Sequence, residues 1–343
     1  MTGFLRAVVH PGDTFQTRKY YLDEPLDPVT QGPSEVEFQL SSRRAVNSTK
    51  TQSSALDYLL LICLAALFGM SFTLTSIGVR DIPPLTLAAG RLLVAFFMLY
   101  PLMRLNGQRM PAIGGVWVAI FGSALFGNAL PFALVSWGQV SVQAGLAAIF
   151  MAIMPLVTIV LAHWLTDDEK LDRWKIVGVL FGLAGVIILI GWSALQSLGD
   201  ELLRQSAILI AAICYAINAL ITRKLTHLPR WSTITALLFA GSMLLVPLSL
   251  LMDDPWQIQT SLPSILSLLG LAIGPTAIAT VMILIIIGRQ GASFLSQINF
   301  LVPVFGMLFG VVLLGERLPA DAYIALAIIL TGIGLSRLSR QRR

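Results

Sequence analysis

Charge is scarce in this chain. Only 12% of its 343 residues are Asp, Glu, Lys or Arg, 56% are hydrophobic, and the mean hydropathy is +0.80. A soluble globular domain carries roughly a quarter charged residues. A soluble core of this length cannot shelter so much apolar surface, so lipid must face much of it. Cysteine is almost missing: Cys63 and Cys214 stand in different apolar runs, with no CxxC spacing. That excludes a disulfide framework and a cysteine-based zinc site, and leaves both as small buried hydrophobes. Histidine is limited to His10, His163 and His227, in separate segments, and no HExxH, GxSxG or P-loop occurs. No metal, cofactor or enzyme activity is therefore expected. Every Asp and Glu after residue 56 falls at a helix end or in a loop. This argues against a proton relay buried at the bilayer midplane, where a carboxylate is the usual carrier. A facilitator, an exchanger, or coupling through an edge carboxylate stays open.

What the chain does have is apolar runs separated by short polar breaks. The pattern predicts an all-α integral membrane protein with helices at 58–79, 84–103, 113–137, 142–165, 174–192, 205–225, 231–251, 263–287, 292–314 and 321–337. Each approaches or exceeds the ~20 residues that cross a ~30 Å hydrocarbon core. Residues 1–57 mix charges of both signs with Pro, Gly, Ser and Thr, and read as a disordered cytosolic tail. They lack the pattern of a signal or transit peptide. A translation start near Val46 is the duller alternative, and the sequon at Asn47 means nothing in a cytosolic tail. Residues 338–343 form a short basic tail. The net charge of +5 speaks to orientation rather than to nucleic acid. With the N-terminus inside, sixteen Lys and Arg fall in inner segments and only Arg80, Arg204 and Arg317 in outer loops. That bias puts both termini in the cytoplasm, which an even helix count requires.

The chain repeats itself. Pro101 pairs with Pro247, Phe68-Gly69 with Tyr215-Ala216, Pro155 with Pro303, Glu169 with Glu316, and Gly185 with Gly332, all near one offset. Each unit, 58–192 and 205–337, holds five helices. An odd number turns the second unit over, so two inverted five-helix repeats are expected. Transporters use that design for alternating access to a midplane site.

These same residues resemble the EamA branch of the drug/metabolite transporter superfamily. The likeness runs through Pro84–Arg91, Gly138–Pro155 and Gly291–Leu318, and covers roughly residues 58–337. It includes the Pro303 position and the Gly315-Glu316-Arg317 ending. The first half departs from it, with Thr166-Asp167-Asp168-Glu169 where a Gly-Glu-Arg ending belongs. The resemblance implies a ten-helix inner-membrane carrier of small metabolites such as amino acids, which we read as an exporter. An integral-membrane enzyme, or a structural or sensory membrane protein, is the alternative. The enzyme would need His, Asp or Glu gathered at one membrane face. Oligomeric state, monomer or dimer, stays open. Gly178-x-x-x-Gly182 and Gly306-x-x-x-Gly310 are small-residue motifs expected to serve contacts within the monomer.

The candidate substrate-binding residues are polar groups inside spans. Ser71 and Thr75 on the first helix match Asn218 and Thr222 on the sixth, where Tyr215 shares their face. Asn128, Phe132, Gln143, Thr276, Gln297 and Asn299 add to them from helices interrupted by Pro131, Pro155, Pro275 and Pro303. Such proline breaks, placed correspondingly in both halves, point to a site. Packing kinks and interhelical hydrogen bonds explain the same residues without a ligand. Arg91 is the one charge well inside a span. It is read either as an anchor for a substrate anion or as a structural, snorkelling arginine. The structural reading is preferred, because the family pattern has an arginine there whatever the substrate. The expected ligand is a zwitterion or amphipathic metabolite, with lipid as the other partner.

Overall fold

Ten apolar helices account for nearly all of the described chain. The computed structural model describes residues 54–165, 171–190 and 200–338. The expected disordered tail up to Ser53, Asn47, the Glu169 repeat position and the basic tail from Ser339 lie outside these residues. In chain order the helices are α1 (Ala55–Gly78), α2 (Pro84–Leu105), α3 (Val116–Gly138), α4 (Ala144–Leu165), α5 (Arg173–Ile190), α6 (Asp200–Ile221, tightening into a 3₁₀ turn at Thr222–Leu225), α7 (Arg230–Met252), α8 (Leu262–Leu295), α9 (Ile298–Leu314) and α10 (Ala320–Leu338). Nine are long and apolar enough to cross a bilayer, and α9 is a shorter apolar helix.

Local chemistry sets the ends. The first helix begins at Ala55 rather than the expected 58, because Ser54 and Asp57 form a reciprocal capping box there. Proline opens α2 and stands near the start of α8, where a missing N–H costs nothing. Gly315, at φ 68°, ends α9. One boundary differs in kind. Helical backbone fills 288–290 of the expected gap, and a short further helical stretch follows to Leu295. The chain nevertheless changes direction at Gly291 (φ 81°, ψ 172°), one residue before the expected start of the ninth span. Only glycine takes that conformation cheaply.

The outside of the bundle is apolar. Phe97, Leu180, Leu183, Ile187, Leu266 and Val312 are exposed on helix surfaces, as lipid-facing side chains must be. Cys63 is among the exposed positions, which corrects its expected burial; Cys214 is buried. Tyr58, Tyr100, Trp137, Trp164 and Tyr323 are exposed near helix ends, where amphipathic rings favour the bilayer interface.

Packing couples positions five helices apart. α2 packs on α7, α4 on α9 and α5 on α10; α1 lies against α8 and α9 just as α6 lies against α3 and α4. The α5–α10 seam shows the correspondence at atomic level. A Cβ on Gly332 would stand 2.6 Å from Gly178 O, and one on Gly185 would stand 3.0 Å from Ala325 O. Position 178 differs from 325 by the same offset as 185 from 332. The glycine motifs serve contacts within this chain: Gly182 meets Leu156, Gly306 meets Ala148, and Gly310 meets Glu316. Irregular backbone recurs at the same spacing. A π-turn covers Leu125–Ala129 in α3, ahead of Pro131, and another covers Ala272–Ile278 in α8, around Pro275. Proline removes an N–H and crowds the preceding turn, and a π-turn absorbs both effects.

Candidate functional site

The two π-turns mark where polar side chains gather inside the bundle. Arg91 sits eight residues into α2, about 10 Å along its axis from the start. It does not snorkel: only 7% of its surface is exposed. Its Nε donates to Thr276 Oγ1 at 2.7 Å, and Nη1 reaches Ser71 Oγ at 3.4 Å. The guanidinium carbon lies 3.8 Å from the centre of the Phe132 ring, a close cation–π contact. Tyr215 lies within electrostatic reach on α6. Four expected site residues, from α1, α2, α3 and α8, are thus in contact at one place, with Tyr215 of α6 in its electrostatic surroundings. Thr276 owes its position to the π-turn. Its hydroxyl donates to Leu271 O at 2.8 Å, five residues back, and so presents a lone pair to Arg91.

The other candidates divide. Asn218 forms a second centre on α6: Ser123 Oγ donates to its Oδ1 at 2.6 Å, and its amide rests against Gly127 in the α3 π-turn. A side chain on Gly127 would collide with it. Asn128, one residue on, lies half-buried with its Cβ facing Gly241 of α7. Thr75 and Thr222 turn back on their own helices, donating to Ser71 O at 2.7 Å and Asn218 O at 2.8 Å. Among the described residues their hydroxyls bridge no helices. Gln143 makes no capping bond at the entry to α4, and its buried Oε1 has no partner among the described residues. Gln297 and Asn299 lie at the α8–α9 turn. Gln297, with Ser293, Phe300, Leu301 and Arg337, lines an open surface depression that does not include Arg91.

Several residues escaped the sequence reading. Glu316 appears there as a repeat marker and as part of the Gly315-Glu316-Arg317 ending, with no site role, yet it reaches across to the N-terminus of α4. Its Oε1 accepts from Ala144 N at 2.6 Å and its Oε2 from Gly145 N at 2.8 Å. The left-handed Gly315 and the missing side chains of Gly310 and Gly145 make room for the carboxylate. Asp57, assigned to the tail, is 2% exposed. It accepts from Arg289 Nε at 2.6 Å and Gln290 Nε2 at 2.7 Å, joining the start of α1 to α8 beside the Gly291 bend. Its repeat mate is Arg204, which donates to Trp137 O at 2.8 Å and covers the Trp137 ring, joining α6 to α3. Gln139 is also buried, its Nε2 donating to Phe72 O at 2.9 Å. A signal for Asp57 existed, since Ser54-x-x-Asp57 precedes an apolar run. None existed for Glu316, whose partners are backbone groups.

Comparison with known proteins agrees with this architecture. Residues 56–191 and 205–338 each match the model of the EamA-like transporter family, so the family unit occurs twice. A protein of Salmonella typhimurium strain LT2, named as a probable amino-acid metabolite efflux pump, is 27% identical over 290 residues, covering 81% of this chain and 93% of that protein. The inner membrane transporter YedA of Escherichia coli strain K12 is 26% identical over 282 residues, covering 82% of this chain and 90% of its own. A solved crystal structure shares the fold with a TM-score of 0.61 at 21% identity, covering 84% of this chain and 99% of that one.

Proposed function

The chain belongs to the EamA-like transporter family, and from that premise we propose that it exports an amino-acid-like or amphipathic metabolite by alternating access between two inverted five-helix halves. The carrying observation is the buried cluster at Arg91. Its groups come from α1, α2 and α3 of the first family unit and from α6 and α8 of the second. A site shared by two halves changes its surroundings whenever the halves rock, which is how a midplane site meets each side in turn. The relative from Salmonella typhimurium supports an amino-acid-like solute and outward direction by its name. Both termini are read as cytoplasmic from the distribution of Lys and Arg. On that orientation the Asp57–Arg289–Gln290 contact closes the cytoplasmic end and the Arg204–Trp137 contact the opposite end. Each is a small polar latch between a first or sixth helix and its partner, suited to release one at a time.

The test is efflux and counterflow from proteoliposomes loaded with labelled L-amino acids. Protein that is folded by size exclusion yet moves no solute faster than empty vesicles would sink the reading. Orientation is checked separately, with Cys63 and Cys214 replaced. A membrane-impermeant maleimide should label Arg317→Cys in intact cells and reach His227→Cys only after permeabilisation.

A further inference from the structure

We infer that Arg91 anchors a carboxylate of the transported solute, so that the substrates are carboxylate-bearing metabolites, either zwitterions or monoanions, and cations are excluded. This rests on the export reading above and names the chemistry its central site selects.

Charge balance comes first. Arg91 is 7% exposed within a membrane-spanning bundle. Among the described residues the Arg289–Asp57 pair is the ion pair within 4 Å, and no carboxylate stands that close to Arg91. Its hydrogen-bonding partners, Thr276 and Ser71, are neutral hydroxyls, and Phe132 contributes a ring face. A guanidinium cannot shed its proton, so the site stays positive. Hydroxyls and a ring quadrupole offset part of the cost of burying that charge, and an anion offsets far more.

Geometry comes second. Nε is committed to Thr276, and one Nη1 hydrogen is directed at Ser71 over a long 3.4 Å. Nη2 has no acceptor among the described residues. Hydrogens on Nη1 and Nη2 therefore remain without an acceptor there, and the two oxygens of a carboxylate meet such a pair in the bidentate arrangement for which the planar fork is suited. The Phe132 ring stands 3.8 Å from the guanidinium carbon and takes up that side of the group. Thr276 is locked by its own bond to Leu271 O and holds the guanidinium in rotation. Tyr215 lies within electrostatic reach of the same guanidinium. The cluster draws on both family units, so a solute bound there senses their relative movement. A purely structural arginine would need no ligand of particular charge. That is the outcome the experiment must separate.

The experiment uses the purified full chain in detergent, with its thermal midpoint read against ligand concentration. The probes are L-leucine, L-phenylalanine and L-threonine, their carboxamides, and the 2-oxo acids of the first two. The expected result is a saturable rise in midpoint with at least one carboxylate and none with its carboxamide at the same concentration. Arg91→Gln should raise the half-saturating concentration at least tenfold, and Arg91→Lys should recover part of it, because the charge remains while the fork is lost. Equal response to acid and amide, silence across all the carboxylates, or an unchanged acid response in folded Arg91→Gln each overturn the inference. Should Arg91→Gln not fold, the acid-against-amide comparison on the unaltered protein decides alone. If loaded vesicles move amides or cations instead, export stands and the carboxylate anchor falls.

Discussion

Glu316 offers the sharpest quantitative test of the packing. Its two carboxylate oxygens accept from consecutive backbone N–H groups, Ala144 at 2.6 Å and Gly145 at 2.8 Å, at the first turn of α4. Those donors have no partner within the helix. Hydrogen bonds to a charged group contribute about 1.5–3 kcal/mol each, and the charge adds about 0.3–1 kcal/mol against the helix dipole. Glu316→Gln keeps one acceptor and turns an NH₂ toward the other N–H. The expected loss is about 2–4 kcal/mol, from one bond and the dipole term. Gly310→Ala attacks the same contact from another side. Its Cβ would overlap Glu316 Oε2 and stand 2.9 Å from Gly145 N, so the carboxylate must move. The two effects share one oxygen and must not add. In a double-mutant cycle measured by SDS unfolding, Gly310→Ala should cost at least ~1 kcal/mol less in the Glu316→Gln background than alone. An unchanged unfolding curve for Glu316→Gln, or strict additivity of the pair, refutes the capping argument.

Three further outcomes are expected. Gly332→Ala puts a Cβ 2.6 Å from Gly178 O and should destabilise the α5–α10 seam by about 1–3 kcal/mol. Gly334→Ala, with nothing within 4 Å, should be neutral; equal effects in the same unfolding assay would refute close approach as the cause. Asn218→Ala strands the fully buried Ser123 hydroxyl at a cost of about 1–3 kcal/mol, and adding Ser123→Ala should return part of it. A double variant no more stable than the single one counts against that pairing. In the loop between α1 and α2, Asp81 accepts from the hydroxyls of Ser261 and Ser264, which hold its carboxyl below the ordinary value of 3.8. A depressed folded value contributes stability that is present above 3.8 and lost as pH falls through the folded value. Detergent-solubilised protein should therefore lose stability below pH 3.8 in a way that Asp81→Asn abolishes. An acid limb identical in the variant would show that Asp81 carries no part of it.

Helix count and spans were legible because one signal carries them. Apolar runs long enough for the bilayer are set by solvent, and each of the ten expected spans overlaps an observed helix. The boundary at 291 was legible for a different reason. Glycine there permits the non-helical φ 81° and ψ 172° at which the helix breaks. Site residues were only half legible. Ser71, Phe132, Thr276 and Tyr215 were chosen as polar or aromatic groups on promising faces, and they do collect around Arg91. Thr75 and Thr222 carried the same signal, yet they bond to their own backbones. A threonine in a helix always has a carbonyl one turn back within reach, so its position alone does not tell which bond it takes.

Hydropathy, the placement of lysine and arginine, and the recurrence at one offset determined that this chain is a membrane bundle built from a duplicated unit. Each is a property of composition and order, and water, lipid and the insertion machinery read it before the helices meet. Tertiary structure alone decided what the polar groups face. It drew Asp57 out of an apparent tail to meet Arg289, and it sent Glu316 across to the first turn of α4. It also left Arg91 beside neutral hydroxyls rather than a carboxylate. Those partners lie as many as 232 residues apart, and no local pattern encodes them. They follow from which helix faces close together once glycines permit contact, since a buried polar group then takes the partner that packing provides.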